Sequence, residues 1–89
     1  MKLYHRTSTS SADQIIRTGN WQSQEHDSSV YFSTASSGSA DGYGPVVLMI
    51  DIDPAIAMID DEFPDGEQHY RVYARDLVGV PVLEVPADQ

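Results

Sequence analysis

Few side chains in this chain could do chemistry near neutral pH. The imidazoles of His5, His26 and His69 are the groups whose ordinary pKa lies close to 7. Cysteine is absent, which removes thiol nucleophiles, disulfides and thiolate metal sites together. The histidines share no zinc-type spacing, so no metal is expected. The glycines of Gly38, Gly42 and Gly44 are not followed by Lys-Ser or Lys-Thr and form neither a P-loop nor a dinucleotide fingerprint. The acidic run from Asp60 to Glu67 lacks the ligand order of a calcium loop and reads as a solvated turn. No Gly-x-Ser-x-Gly nucleophile signature occurs, and Ser8, Ser10 and Ser33 have the character of caps and turn residues. His5, on the opening strand, is the leading candidate. Taken alone, His5 is better read as a partly buried strand histidine bonded to neighbouring backbone.

The elements that must position these groups follow from periodicity. Lys2 to Arg6 alternates as a short strand, with Leu3, His5 and Thr7 on one side and Tyr4 and Arg6 on the other. A cluster of Ser and Thr leads into a predicted helix over 10–18, with Ser10 and Asp13 as a capping pair, Ala12, Ile15 and Ile16 on one face, and Gly19 as the stop. Trp21 is expected to fold back onto the core from a polar loop. Val30 to Ser33 is a second strand, and Ala35 to Gly44 is a loop or a single helical turn. Val46 to Asp53 is a strand ended by Pro54, and Ile56 to Ile59 is another. His69 to Tyr73 alternates with Tyr70 and Val72 facing one way, which sets Glu67 and His69 together on the other. Val80 to Val85, interrupted by Pro81, is an edge strand. One early helix and late strands predict a compact α+β domain over residues 1–89, with a mainly antiparallel, twisted or split sheet and one or two short helices.

Composition narrows the partners. Fourteen acidic against five basic residues give a formal charge of −9, which repels nucleic acid and anionic lipid. The longest apolar run, Val46 to Ile50, is too short to span a bilayer, and the opening Met1-Lys2-Leu3-Tyr4-His5-Arg6 turns polar at once, so a cytoplasmic location is expected. A chain of 89 residues buries only about 60–65% of its unfolded surface, leaving few positions for buried polar chemistry.

The order Leu3-Tyr4-His5-Arg6-Thr7-Ser8, a short helix ending at Gly19, Val30-Tyr31-Phe32-Ser33, then Tyr43-Gly44-Pro45-Val46-Val47-Leu48, resembles the ADP-ribosyltransferase fold. It is most similar to the short bacterial members and to tRNA 2′-phosphotransferase relatives, over roughly residues 3–75 by ordered short motifs. The resemblance implies NAD as the bound substrate, with cleavage of the nicotinamide–ribose bond and transfer to an acceptor. It assigns His5 to a ribose, Thr7 and the adjacent Arg6 to backbone contacts with nicotinamide, Tyr31 to stacking on the nicotinamide ring, and Ser33 of the second-strand motif to the same cofactor site. It also implies a catalytic carboxylate at the start of a later strand. Here Arg6 stands where the family has glycine, His69 stands at the usual position of that glutamate, and Glu67 lies two residues earlier. Glu67 and His69 are therefore the candidate catalytic groups. A competing expectation is a non-catalytic acidic module, such as an inhibitor, an antitoxin-like protein or a nucleic-acid mimic, meeting a partner with a basic face.

Overall fold

The computed structural model describes residues 1–21, 28–36 and 44–85. It is a compact α+β domain: a six-stranded, open, antiparallel sheet with one α-helix. The strands are β1 (Lys2–Thr7), β2 (Ser29–Ser33), β3 (Val46–Asp51), β4 (Met58–Glu62), β5 (Gln68–Tyr73) and β6 (Leu83–Val85), and the helix α1 is Thr9–Thr18. Their spatial order is β4-β5-β2-β1-β3-β6. Two short 3₁₀ turns, Pro54–Ile56 and Ala74–Leu77, complete the described elements.

The helix starts one residue earlier than its periodicity predicts, because Ser8 rather than Ser10 is the cap. The Ser8 hydroxyl accepts from the Ser11 N–H at 3.2 Å, satisfying one of the first-turn donors. Gly19 closes the helix in the left-handed region at φ 71°, donating its N–H to Ile15 O. Ala12 and Ile15 are buried against the sheet, whereas Ile16 is 48% exposed, so the apolar stripe is narrower than expected. Leu3, Val30, Phe32, Leu48, Ile50 and Val72 supply the sheet side of the core, with Leu77 and Trp21 closing it. Trp21 does fold back, at 6% exposure.

The acidic run is the clearest departure from the sequence reading. Asp60, Asp61 and Glu62 lie within β4 and not in a turn, because β4 pairs with β5 as a hairpin. The turn is shorter. Phe63-Pro64-Asp65-Gly66 has Pro at its second position and Gly at its fourth, and the Gly66 N–H donates to Phe63 O at 3.0 Å. Ile56, placed in a strand by the sequence, sits in the 3₁₀ turn that Pro54 opens and Asp53 caps. The β4–β5 register slips between Ile59 and Asp61, leaving Asp60 as an extra residue on the outermost strand. Acidic side chains and that slip blunt one sheet edge; at the other, β6 is three residues long and follows Pro81.

One joint in the sheet is weak. β1 pairs with β3 from Lys2 to Thr7, and β2 pairs with β5 from Ser29 to Tyr73 through Ser33 and His69. Between β1 and β2 the single paired position is Tyr4 with Ser33. Beyond it, toward Thr7 and Ser29, the two strands no longer form a ladder. The sheet is thus two three-stranded halves whose ladders are joined at one paired position.

Candidate functional site

Glu67 is the most telling side chain of the structure. It is 6% exposed, one of few buried polar groups among the described residues. A carboxylate is expensive to take out of water unless its oxygens are hydrogen-bonded. The Ser33 hydroxyl donates to Glu67 Oε2 at 2.6 Å, a short charge-assisted bond. His69 Nε2 lies 2.9 Å from the same oxygen. Ser33 Oγ in turn accepts from the Ala35 N–H at 3.0 Å, which fixes its rotamer.

The backbone delivers these groups to one place. The Phe63–Gly66 turn reverses the chain, and the Asp65 carboxylate accepts from the Glu67 N–H at 3.0 Å. Phe63 N–H donates to Glu67 O at 2.9 Å, so Glu67 sits at the mouth of the hairpin, just before β5. Gln68 bonds to both backbone and side chain of Thr34, locking β5 to the end of β2. Ser33 and His69 are register partners across these strands, so their side chains share a face. Phe63 packs edge-on against the His69 ring at 4.6 Å between centroids.

Alternation extends this face. Tyr31 pairs with Arg71 and stands on the Ser33–His69 side, 37% exposed. Tyr4, opposite Ser33, and therefore Arg6 belong to the same side. The Arg6 guanidinium donates to Ser36 O at 2.9 Å and to Gly44 O at 3.3 Å, tying the chain after β2 to the chain before β3. Gly44 is required there: at φ 150°, an added Cβ would strike the Thr7 carbonyl.

His5 and Thr7 fall on the opposite, helix-bearing side. His5 pairs with Leu48 of the core and packs against Trp21 and Phe32 at 5.3 and 5.5 Å. Its ring sits where the β1–β2 ladder fails, and Nδ1 is 2.7 Å from Tyr31 O. A carbonyl can only accept, so Nδ1 carries the proton and Nε2 keeps a lone pair in the neutral ring. Burial lowers the His5 pKa from 6.5, against the weaker opposing pull of that hydrogen bond. The neighbouring Trp21 Nε1–H is buried without an acceptor among the described residues.

The structure therefore gathers Arg6, Tyr31, Ser33, Glu67 and His69 on one face and separates His5 and Thr7 from them. Ser33, expected to be a turn residue or a ligand contact, is spent on holding Glu67. Phe63 and Asp61, which pairs with His69 across the hairpin, escaped sequence reasoning, since nothing local marks a residue before Pro64 or within an acidic run as a neighbour of His69. Arg75 lies over the Tyr73 ring at 4.8 Å. His26 lies outside the described residues. Among the described residues no group of three or more His, Asp or Glu side chains is placed to hold a metal ion, and no helix is long and apolar enough to cross a membrane.

In chemical terms the face offers a desolvated carboxylate on a rigid hairpin, an imidazole bonded to it, and a partly exposed aromatic ring on the adjacent strand. Such a set can steady a developing positive charge and move a proton. No family model, curated protein or solved structure matches the chain.

Proposed function

We propose that this chain is a small ADP-ribosyltransferase-like domain that binds NAD on the face bearing Tyr31, Ser33, Glu67 and His69 and cleaves its nicotinamide–ribose bond. The observation that carries the reading is the buried Glu67 carboxylate, fixed by Ser33 and His69 at the start of β5. Breaking a glycosidic bond to nicotinamide develops positive charge at C1′, and a preorganised carboxylate in a site of low dielectric stabilises that charge most. The Tyr31 ring, two residues from Ser33 on the same face, is a platform for a flat cationic ring. His5 supports the site from behind: its Nδ1–H holds the Tyr31 carbonyl where the ladder lapses, which steadies the strand carrying Tyr31 and Ser33.

Thermal unfolding with NAD tests the reading. At a hundredfold excess over its dissociation constant, NAD should stabilise the domain by about 2.7 kcal/mol, a rise of roughly 10–20 °C in so short a chain. NADP and ADP-ribose serve as comparisons, and release of nicotinamide reports cleavage. Wild-type protein whose unfolding is indifferent to all three does not bind as proposed.

A second reading has its own observation. Asp60, Asp61 and Glu62 are exposed on the outermost strand β4, in a chain of formal charge −9. We propose as the alternative an acidic interaction module whose β4 edge meets a basic protein face. It predicts binding to polylysine that collapses between about 50 and 200 mM salt and is weakened by Asp60→Asn with Asp61→Asn, with no response to NAD.

A further inference from the structure

The reading above leaves the acceptor open, and the geometry around His69 points to its chemical class. Three facts bear on it. His69 Nε2 lies 2.9 Å from Glu67 Oε2, and an ionised carboxylate only accepts, which places the proton on Nε2 when Glu67 is charged. The Glu67 side chain is 4% exposed while that of His69 is 19% exposed, so the carboxylate is hidden and the imidazole can be reached. Nδ1 makes no hydrogen bond to any described residue, and in the neutral ring it holds the lone pair. The ring packs edge-on against Phe63 at 4.6 Å between centroids.

We infer that Glu67 and His69 form a carboxylate–imidazole dyad in which Nδ1 of His69 is the general base for an oxygen nucleophile, water or an alcohol. The inference rests on the proposed NAD chemistry and assigns its acceptor half. The step balances without a further reagent. The C1′–N bond breaks, and nicotinamide leaves with the electron pair as a neutral molecule. The nucleophile's oxygen bonds to C1′, and its proton passes to Nδ1. The imidazolium so formed keeps Nε2–H on Glu67, whose negative charge stabilises it, as in other carboxylate-backed histidines. Ser33 is a positioning residue: its hydroxyl holds Oε2 in place and touches neither acceptor nor leaving group. The charged and titratable groups next to the dyad are Asp61, the register partner of His69 on β4, and Arg71, two residues along β5. On β2 its neighbour is the uncharged Ser33.

Long-range ¹H–¹⁵N NMR of histidine-labelled protein reads the tautomer without any activity. The expected result is a neutral His69 protonated at Nε2 alone, with that preference lost in Glu67→Gln. A neutral ring protonated at Nδ1 overturns the dyad. Cleavage is then followed as nicotinamide release from NAD. His69→Ala should slow it by about 10²–10⁴-fold while the thermal shift with NAD persists, and added imidazole should restore part of the rate, which a merely structural role would not allow. Free ADP-ribose as the product identifies water as the acceptor; partition to an O-methyl product with added methanol identifies a site open to alcohols. Undiminished cleavage in His69→Ala, or wild-type protein that binds NAD without cleaving it, overturns this inference and leaves the binding reading standing. Absence of any NAD shift in wild type removes the binding reading and the acceptor assignment with it.

Discussion

The Ser33–Glu67 hydrogen bond should be among the strongest single polar contacts in the domain, and a double-mutant cycle measures it. Ser33→Ala removes a buried donor from a carboxylate at 2.6 Å and an acceptor from the Ala35 N–H at 3.0 Å. A hydrogen bond to a charged group contributes about 1.5–3 kcal/mol, and a second, neutral one about 1 kcal/mol, so the substitution should destabilise by roughly 2–4 kcal/mol. At about 0.05–0.15 kcal/mol per residue, a chain of 89 residues has on the order of 4–13 kcal/mol in total, so a large share is at stake. Glu67→Gln keeps the shape and an oxygen for Ser33 to donate to, but abolishes the charge. If Ser33 acts by supporting an ionised carboxylate, its removal should matter less once the charge is gone, with a coupling of about 1–2 kcal/mol between the two sites. Urea unfolding of the wild type, both single variants and the double variant gives the four free energies, with constant m-values as the check that the unfolded state is unchanged. Additivity within about 0.4 kcal/mol would refute the reasoning, because it would mean that Glu67 does not depend on Ser33 as a charge-stabilising donor.

Two further outcomes follow from the geometry. His5 has its native pKa lowered by burial, so the unfolded chain binds the proton more readily; stability is full above about pH 6.5 and falls as pH drops from there through the native pKa. His5→Asn, which offers a side-chain N–H but does not titrate, should flatten that part of the pH dependence relative to wild type, as measured by urea unfolding between pH 7.5 and 5.5 with Trp21 emission as the probe. Gly44→Ala forces a methyl into the Thr7 carbonyl and should cost more than about 1 kcal/mol, seen as a lower midpoint in thermal unfolding; a neutral result would show that β3 can shift away from β1 at that point.

The parts of the fold that were legible in the sequence are those with a local cause. Gly19 stops the helix because the left-handed region favours glycine, and the alternation of Tyr70 and Val72 placed Glu67 and His69 on a common face, where they are bonded. Pro81 marked an edge for the reason that proline cannot donate to a ladder, whereas β3 ends at Asp51, short of the Asp53 boundary expected from Pro54. What escaped depends on pairing at a distance. Asp60 to Glu62 read as a turn because acidic residues are poor strand formers, but the β5 hairpin holds them extended. Ser33 looked like a turn residue because nothing nearby in sequence reveals that Glu67, 34 positions later, needs its hydroxyl.

The strongest lesson concerns β1, where the same motif presents opposite faces with adjacent residues. Order along the chain put His5 with Tyr31, but a strand turns successive side chains to opposite sides, and the register settles which side each takes. Tyr4 opposite Ser33 assigns Arg6 to the face of Tyr31 and Glu67, and Leu48 opposite His5 assigns that ring to the core. The two sides nevertheless communicate at one atom. Because the β1–β2 ladder stops after Tyr4 and Ser33, the Tyr31 carbonyl is left without a strand donor from β1, and His5 Nδ1–H fills that role. This hydrogen bond ties β1 to β2 beyond the end of their ladder. Any motion that widens the gap must break the His5–Tyr31 bond, and any ligand that seats against the Tyr31 ring bears on the same strand. Histidine at position 5 is thus accounted for by the architecture of the split, and the Glu67–His69 contact lies on the opposite face.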